Sequence, residues 1–136
     1  MLDTSSLVRA ALAPGSAAGL LLAAALGGRA RLAGSPETLQ EAARVLVRPK
    51  FAARLSPEAR EASIARLVAA TEVVESVERV TECRDPSDDM VLEAALAAGV
   101  AVIVSDDRDL LVLDPWWGVR VSKPEAALAL LGEGQG

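Results

Sequence analysis

The 136-residue sequence contains no histidine, no tyrosine and a single cysteine, Cys83. Without an imidazole, the chain cannot form a Ser-His-Asp or Cys-His triad or a zinc site with histidine ligands. One cysteine excludes an intrachain disulfide, a CxxC redox pair and a four-cysteine zinc site, and it is typical of a reducing compartment. Metal chemistry in this chain must therefore use oxygen ligands, which favour Mg²⁺ or Mn²⁺.

Aromatic side chains and positive charge are also scarce. Aromatic residues make up 2 % of the chain, namely Phe51, Trp116 and Trp117, so an aromatic base-stacking platform is excluded. We interpret the two tryptophans as a core plug or a partner contact. The 14 basic residues against 19 acidic ones give a net charge of -5, which does not favour binding of nucleic acid through bulk positive charge. A nuclease stays possible, because a metal ion makes an acidic site locally cationic.

The remaining composition is that of a globular core with a charged surface. Hydrophobic residues make up 51 % and charged residues 24 % of the chain, which excludes disorder. The apolar stretch Ala17–Leu26 is shorter than the roughly 20 residues that span a bilayer. Asp3 stands where a signal peptide carries basic residues, so we expect a core helix at Ala17–Leu26 and a cytoplasmic protein.

Predicted strands and helices alternate along the chain. A short strand precedes Asp3, and further strands are predicted at Arg29–Ala33, around Val73, Val74 and Val77, at Val100–Val104 and at Val119–Val121. Helices are predicted at Leu7–Leu12, Ser16–Leu26, Ser35–Val47, Ser56–Ala70, Asp85–Gly99 and from Lys123 onward. This alternation predicts one α/β domain over residues 1–131, with a central parallel sheet of four to five strands flanked by helices. Residues 132–136 are predicted to form a flexible tail.

Acidic residues fall where such a sheet places its ligand site, beyond the carboxyl ends of the strands. Asp3 follows the first strand, and Asp88 lies in the first turn of the helix that leads to the most buried strand. Glu41 lies in the helix after the second strand. The acids that follow the most buried strand are Asp106, Asp107 and Asp109. Each acid taken alone also fits a structural role, as a helix cap or a solvated charge.

Several of these acids at one site would indicate a bound cation, whereas each acid alone also fits a structural role. Unit charges about 4 Å apart repel by roughly 4 kcal/mol at an effective dielectric constant near 20. Three or four converging carboxylates therefore need protons or a divalent cation to offset them. One or two Mg²⁺ ions would compensate the carboxylate charges. They would also activate a water molecule and stabilise negative charge on the oxygens of a phosphodiester.

At this point the sequence resembles the PIN domain family. The resemblance is carried by Leu2-Asp3-Thr4-Ser5, by Glu41 within Leu39–Phe51, by Asp85-Pro86-Ser87-Asp88-Asp89 before Leu92–Leu96, and by Ile103–Leu111. It extends from Leu2 to about Leu128 in the family's order. Within the family, the chain is most similar to the VapC-type toxins of bacterial toxin–antitoxin pairs.

The resemblance implies a Mg²⁺- or Mn²⁺-dependent endoribonuclease that is a homodimer and is inhibited by a cognate antitoxin. It implies that Asp3, Glu41, Asp88 and Asp107 are the catalytic and metal-binding residues. Asp106 and Asp109 are weaker metal candidates. Either of the neighbours Asp106 and Asp107 could be the family's ligand after the buried strand, and the sequence does not decide between them. Thr4 and Ser5 would orient Asp3 or a water molecule, or else cap the first helix. Ser5 and Asp89 stand where the family often has Asn.

Basic residues close to Glu41 offer a way to hold RNA. Arg44 and Arg48 follow Glu41 by three and seven residues, on the same predicted helix face, and Lys50 and Arg54 come next. We expect this group to bind RNA phosphates; the alternatives are a solvated surface or a contact with the antitoxin or a second protomer.

Three other functions are alternatives to the nuclease. A haloacid-dehalogenase-type hydrolase needs Asp at position 5, where the chain has Ser5. A receiver-like phosphoacceptor domain would match Ser122-Lys123-Pro124, but an acid pair after the first strand and an acceptor Asp after the third are absent. A PIN-like binding module without catalysis is the alternative that retains most features.

Overall fold

Short parallel strands and longer helices alternate in the computed structural model, which describes residues 1–76 and 79–135. The strands are β1 (Leu32–Gly34), β2 (Thr71–Val73), β3 (Val102–Val104) and β4 (Arg120–Ser122). The helices within these ranges are α1 (Thr4–Leu12), α2 (Ala17–Leu26), α3 (Pro36–Leu46), α4 (Pro49–Ala52), α5 (Pro57–Ala70), α6 (Pro86–Ala98), α7 (Arg108–Leu111) and α8 (Pro124–Gln135). The α/β class predicted from the alternating pattern is confirmed.

Helices α2, α3 and α5 begin where local capping signals predict, whereas α1 begins at Thr4, three residues before the predicted Leu7, because Asp3 caps it. Ser16, Ser35 and Ser56 each accept a hydrogen bond from a backbone N–H of the first turn of the helix that follows. In α3, Ser35 and Thr38 form a reciprocal capping box. Helix α6 ends at Gly99, whose left-handed conformation (φ 64°) suits glycine. The single-turn helices α4 and α7 were not predicted, because four residues are too few to show a helical period.

The hydrogen-bonded strands form two parallel pairs, β1 with β2 and β3 with β4. Leu2 adds an isolated parallel bridge to Val104 on β3, where Asp3 N–H donates to the Val104 carbonyl at 3.1 Å. The expected single sheet of four to five strands is not confirmed in the described residues. Leu2, Leu32 and Val104 share one hydrophobic cluster, so the two pairs meet through side chains.

Strand boundaries differ from the prediction by one to three residues. Strand β1 begins at Leu32 instead of Arg29, and β3 begins at Val102 instead of Val100. Strand β2 covers Thr71–Val73, whereas Val77, predicted to be in this strand, lies outside the described residues. Helix α8 continues to Gln135, through part of the predicted tail, and Gly136 lies outside the described residues. The domain boundary at residue 131 stays a prediction.

Two hydrophobic clusters hold the helices against the strands. One contains Leu22, Leu46 and Leu67, and the other contains Ile103 and Trp116. Trp116 is 6 % exposed and acts as the predicted core plug, whereas Trp117 is 79 % exposed.

The apolar helix α2 takes part in the first cluster through Ala18 and Leu22, as expected of a core helix. Of the helices in the described residues, none alone has the length and hydropathy to cross a membrane. Helices α1 and α2 satisfy those two criteria only as a pair bent by 88°.

Candidate metal centre

Asp3 lies at the end of the Leu2 bridge, where it caps the N-terminus of α1. Its Oδ1 accepts the Ser6 N–H at 2.9 Å, and its Oδ2 accepts the Ser105 hydroxyl at 2.5 Å. The residue is only 4 % exposed. Burial raises the pKa of Asp3 because it disfavours the charged form, while the hydrogen bonds from Ser105 and Ser6 lower it in part. Asp3 is therefore a fixed carboxylate that lacks a cationic partner among these contacts.

Asp107 follows β3 and caps the single-turn helix α7. Its side chain accepts the Asp109 N–H, and its own backbone N–H donates to the Ser105 hydroxyl oxygen, both at 2.9 Å. Ser105 is fully buried and contacts both acids through one oxygen. This serine therefore fixes the position of Asp107 relative to Asp3, although the two lie on different strand ends.

Asp88 lies in the first turn of α6 and is half-buried. Burial, together with the negative charges of Asp107 and Asp85, raises the pKa of Asp88 to about 7. A hydrogen bond with Asp107 has the same effect. Asp88 thus shares its surroundings with other acids closely enough to retain a proton near neutral pH.

Three carboxylates converge at this edge of the sheet, and we call Asp88, Asp107 and Asp109 the acid cluster. Each offers an oxygen, and these oxygens lie within 4.8 Å of one another. An all-oxygen ligand set of this kind suits a hard divalent cation such as Mg²⁺ or Mn²⁺. The residues present therefore fit a divalent metal.

Asp3 and Glu41 line the same cleft as Asp88 and Asp107. The cleft has a volume of about 600 Å³, and its walls come from α1, α3, the α4 segment and α6. The structure thus brings the four principal predicted acids to one cleft.

A comparison with known protein families matches residues 1–109 to the PIN domain. The chain belongs to the PIN domain family. PIN domains are generally nucleases that depend on a bound divalent metal, in agreement with the oxygen ligands gathered here. A search of curated proteins and a search of solved structures found no match.

Asp106 and Asp109 occupy different places in this PIN domain. The Asp106 side chain forms an ion pair with Arg9 at 3.4 Å and does not line the cleft. Asp109 belongs to the acid cluster, and its Oδ1 accepts a hydrogen bond from Arg84 Nη2 at 2.9 Å. Of the two neighbouring candidates left open by the sequence, the geometry favours Asp107.

The residues that position Asp3 are not the ones expected. Thr4 and Ser5 line the cleft, but the hydrogen bonds to Asp3 come from Ser6 and Ser105. The Thr4 hydroxyl oxygen is buried without a hydrogen-bond partner among the described residues. The Ser105-Asp106-Asp107 run looks like an ordinary turn in the sequence, so no local signal singled out Ser105.

Asp89 and Glu93 have structural roles on the neighbouring face of α6. Asp89 Oδ1 accepts the backbone N–H groups of Glu82 and Cys83 at 2.9 Å each. Glu93 Oε2 accepts the Val80 N–H at 2.9 Å. These buried carboxylates hold the segment that precedes α6. Asp89, at the position where the family often has Asn, therefore has a structural role as an acceptor of backbone hydrogen bonds.

The predicted basic group divides between the cleft and the outer surface. Arg48, Lys50 and Arg54 line the cleft, whereas Arg44 is exposed and does not. Helix α3 ends at Leu46, and Arg48 is the N-cap of α4. The shared helix face predicted for Arg44 and Arg48 is therefore wrong, since Arg48 lies beyond the end of α3.

Proposed function

We propose that this PIN domain is a Mg²⁺- or Mn²⁺-dependent endoribonuclease that hydrolyses RNA phosphodiesters and leaves a 5′-phosphate. The observation that carries the proposal is the convergence of Asp88, Asp107 and Asp109 within 4.8 Å, at a cleft that Asp3, Glu41, Asp88 and Asp107 line. Repulsion among carboxylates at this spacing needs a compensating cation. Family membership supports the same chemistry.

The positions of the acids suit them to different roles in binding the cation and orienting water. Asp3, Asp88 and Asp107 would hold the cation, and Asp109 would add a further carboxylate from the acid cluster. Ser105 fixes Asp3 and Asp107 relative to each other. Glu41, from the α3 wall, would complete the site or orient the attacking water. A bound divalent cation supplies activation of water and stabilisation of charge on the phosphodiester oxygens.

Basic side chains at the cleft support a polyanionic substrate. Arg48, Lys50 and Arg54 line the cleft beside the acids, although the chain as a whole carries a net charge of -5. Local positive charge can therefore hold phosphates where bulk charge would repel them. RNA is the substrate class implied by the resemblance to VapC-type toxins.

We also propose that the chain is the toxin of a toxin–antitoxin pair. The resemblance to VapC-type toxins supports a cytoplasmic homodimer that a cognate antitoxin inhibits. Helices α2 and α8 pack together and expose Leu20, Leu26 and Leu130 by 40–45 %. Such apolar side chains on neighbouring helices suit a protein partner.

A cleavage assay tests the proposal. Labelled RNAs are incubated with the protein and Mg²⁺ or Mn²⁺, with EDTA, and with the Asp3→Asn variant. We expect cleavage that EDTA abolishes and that Asp3→Asn reduces at least about 100-fold, because Asp3 is a buried member of the site. Glu72→Gln is the matched control, since it removes one carboxylate on β2 that pairs with Arg31.

Two results separate the alternatives. Cleavage that survives both chelation and Asp3→Asn would contradict the metal mechanism. Metal binding without cleavage of any RNA in a broad panel would favour the PIN-like module that acts only by binding.

A further inference from the structure

An arginine contacts the acid cluster from outside the cleft. The Arg84 guanidinium donates from Nη2 to Asp109 Oδ1 at 2.9 Å. Interaction with Asp109 and, more weakly, with Asp107 raises the pKa of Arg84. The structure therefore already places one positive charge against the carboxylates that a divalent cation would use.

The backbone next to Arg84 is held in place. Cys83 N–H donates to the buried Asp89, and Asp85 caps α6 directly after Arg84. The Arg84 side chain itself is 88 % exposed. Exposed ion pairs are weak, so a divalent cation can displace this one.

We propose that Arg84 competes with the divalent cation for Asp109 and thereby sets the metal affinity of the centre. The inference rests on the proposed function, since it assumes that the acid cluster binds metal. When both cations are present they share the charge of the Asp109 carboxylate and repel each other, so each weakens the interaction of Asp109 with the other. Arg84 is thus a positioning residue that acts through Asp109.

Mn²⁺ binding to the full chain tests the inference without any measurement of activity. Isothermal titration calorimetry is carried out on the metal-free wild type and on Arg84→Ala. We expect Arg84→Ala to bind Mn²⁺ about three- to tenfold more tightly, because the Asp109 carboxylate is released from its ion pair. Arg84→Lys, which keeps a positive charge within reach, should stay near the wild-type affinity.

Arg9→Ala is the matched control. Arg9 also lines the cleft and also pairs with an aspartate, Asp106, at 3.4 Å, but Asp106 is not in the acid cluster. The Mn²⁺ affinity of Arg9→Ala should therefore remain within about twofold of the wild type. An equal gain in Arg9→Ala would show a general effect of charge and would overturn the competition.

A double-variant cycle completes the test. Arg84→Ala should give no gain in an Asp109→Asn background, because the shared carboxylate is gone. A gain that persists there, or an unchanged affinity in Arg84→Ala alone, contradicts the inference while leaving the proposed function intact. No Mn²⁺ binding by the wild type or Arg84→Ala contradicts the proposed function itself.

Discussion

Ser105 joins the two ends of the candidate site, because its hydroxyl donates to Asp3 at 2.5 Å and accepts the backbone N–H of Asp107 at 2.9 Å. The Ser105–Asp3 hydrogen bond spans 102 positions in the sequence. One buried oxygen therefore sets the relative position of the carboxylates that follow the Leu2 bridge and β3.

Replacement of Ser105 by alanine should impair both stability and metal binding. The substitution leaves Asp3 Oδ2 without its donor and raises the pKa of Asp3 further, since that hydrogen bond favours the ionised form. We expect the free energy of unfolding to fall by about 1–2 kcal/mol and the Kd for Mn²⁺ to rise severalfold. Urea denaturation and calorimetric titration measure the two effects.

Ser16→Ala is the control for general destabilisation. Ser16 caps α2 and lies outside the cleft, and its loss costs about 1 kcal/mol. Its Mn²⁺ affinity should stay at the wild-type value. If both serine variants weakened Mn²⁺ binding equally, the Ser105 contact would have no particular role in the site.

The neighbouring acids Asp106 and Asp107 should differ sharply in activity. Asp107 belongs to the acid cluster, whereas Asp106 pairs with Arg9 outside it. Asp107→Asn should lower RNA cleavage at least about 100-fold, and Asp106→Asn should change it by less than about threefold. Single-turnover cleavage rates at saturating Mg²⁺ measure this, and a larger loss in Asp106→Asn would refute the assignment.

Helix starts could be predicted because they depend on neighbouring residues. The arrangement of the strands could not, because it depends on contacts between residues far apart in the sequence. The N-terminal caps at Ser35 and Ser56 depend on residues within one turn, and the structure shows both. The expectation of one continuous sheet depended on how the Leu2 segment meets β1. That contact is made by side chains far apart in sequence, which a local pattern does not encode.

The same distinction holds for the candidate site. Asp3, Asp88 and Asp107 could be placed from the sequence because strand ends and helix starts bring them to one edge. Ser105 and Arg84 carry no local signal in the sequence that marks them as part of the site. Their partners lie 102 and 25 residues away, and only the packing of α1, α6 and α7 around β3 brings them together.

The basic residues of the cleft should control RNA binding. A double variant, Arg48→Ala with Lys50→Ala, is examined in an Asp3→Asn background so that the RNA stays intact. We expect the Kd to rise about tenfold and the slope of log Kd against log salt to fall by about 1.4. Each phosphate contact to a single strand contributes about 0.7 to that slope.

Arg44→Ala provides the comparison for this prediction. Arg44 is exposed but does not line the cleft, so its removal should leave the RNA affinity within about twofold of the parent. Filter binding at several salt concentrations measures all variants. If Arg44→Ala and the double variant lost RNA affinity equally, the RNA phosphates would not be bound specifically at the cleft.

Asp88 should make the stability of the metal-free protein fall as the pH rises. Its pKa is about 7 in the folded chain against an ordinary value of 3.8. Between these values the unfolded chain loses the proton while the folded chain keeps it, so the folded state loses stability with rising pH. Asp88→Asn should therefore match the wild-type Tm near pH 4 and exceed it increasingly up to about pH 7.

Thermal melts in EDTA and in Mn²⁺ test this titration. Because the cation needs the ionised carboxylate, Mn²⁺ should raise the wild-type Tm more above pH 7 than below it, and Asp88→Asn should lose most of that gain.

Asp114 is a control whose pKa shifts in the opposite direction, since hydrogen bonds from Val121 and Arg120 lower its pKa. Asp114→Asn should lower the Tm at neutral pH and lose that effect as the pH falls below 3.8. A flat difference between Asp88→Asn and the wild type from pH 4 to 8 would exclude a raised pKa for Asp88.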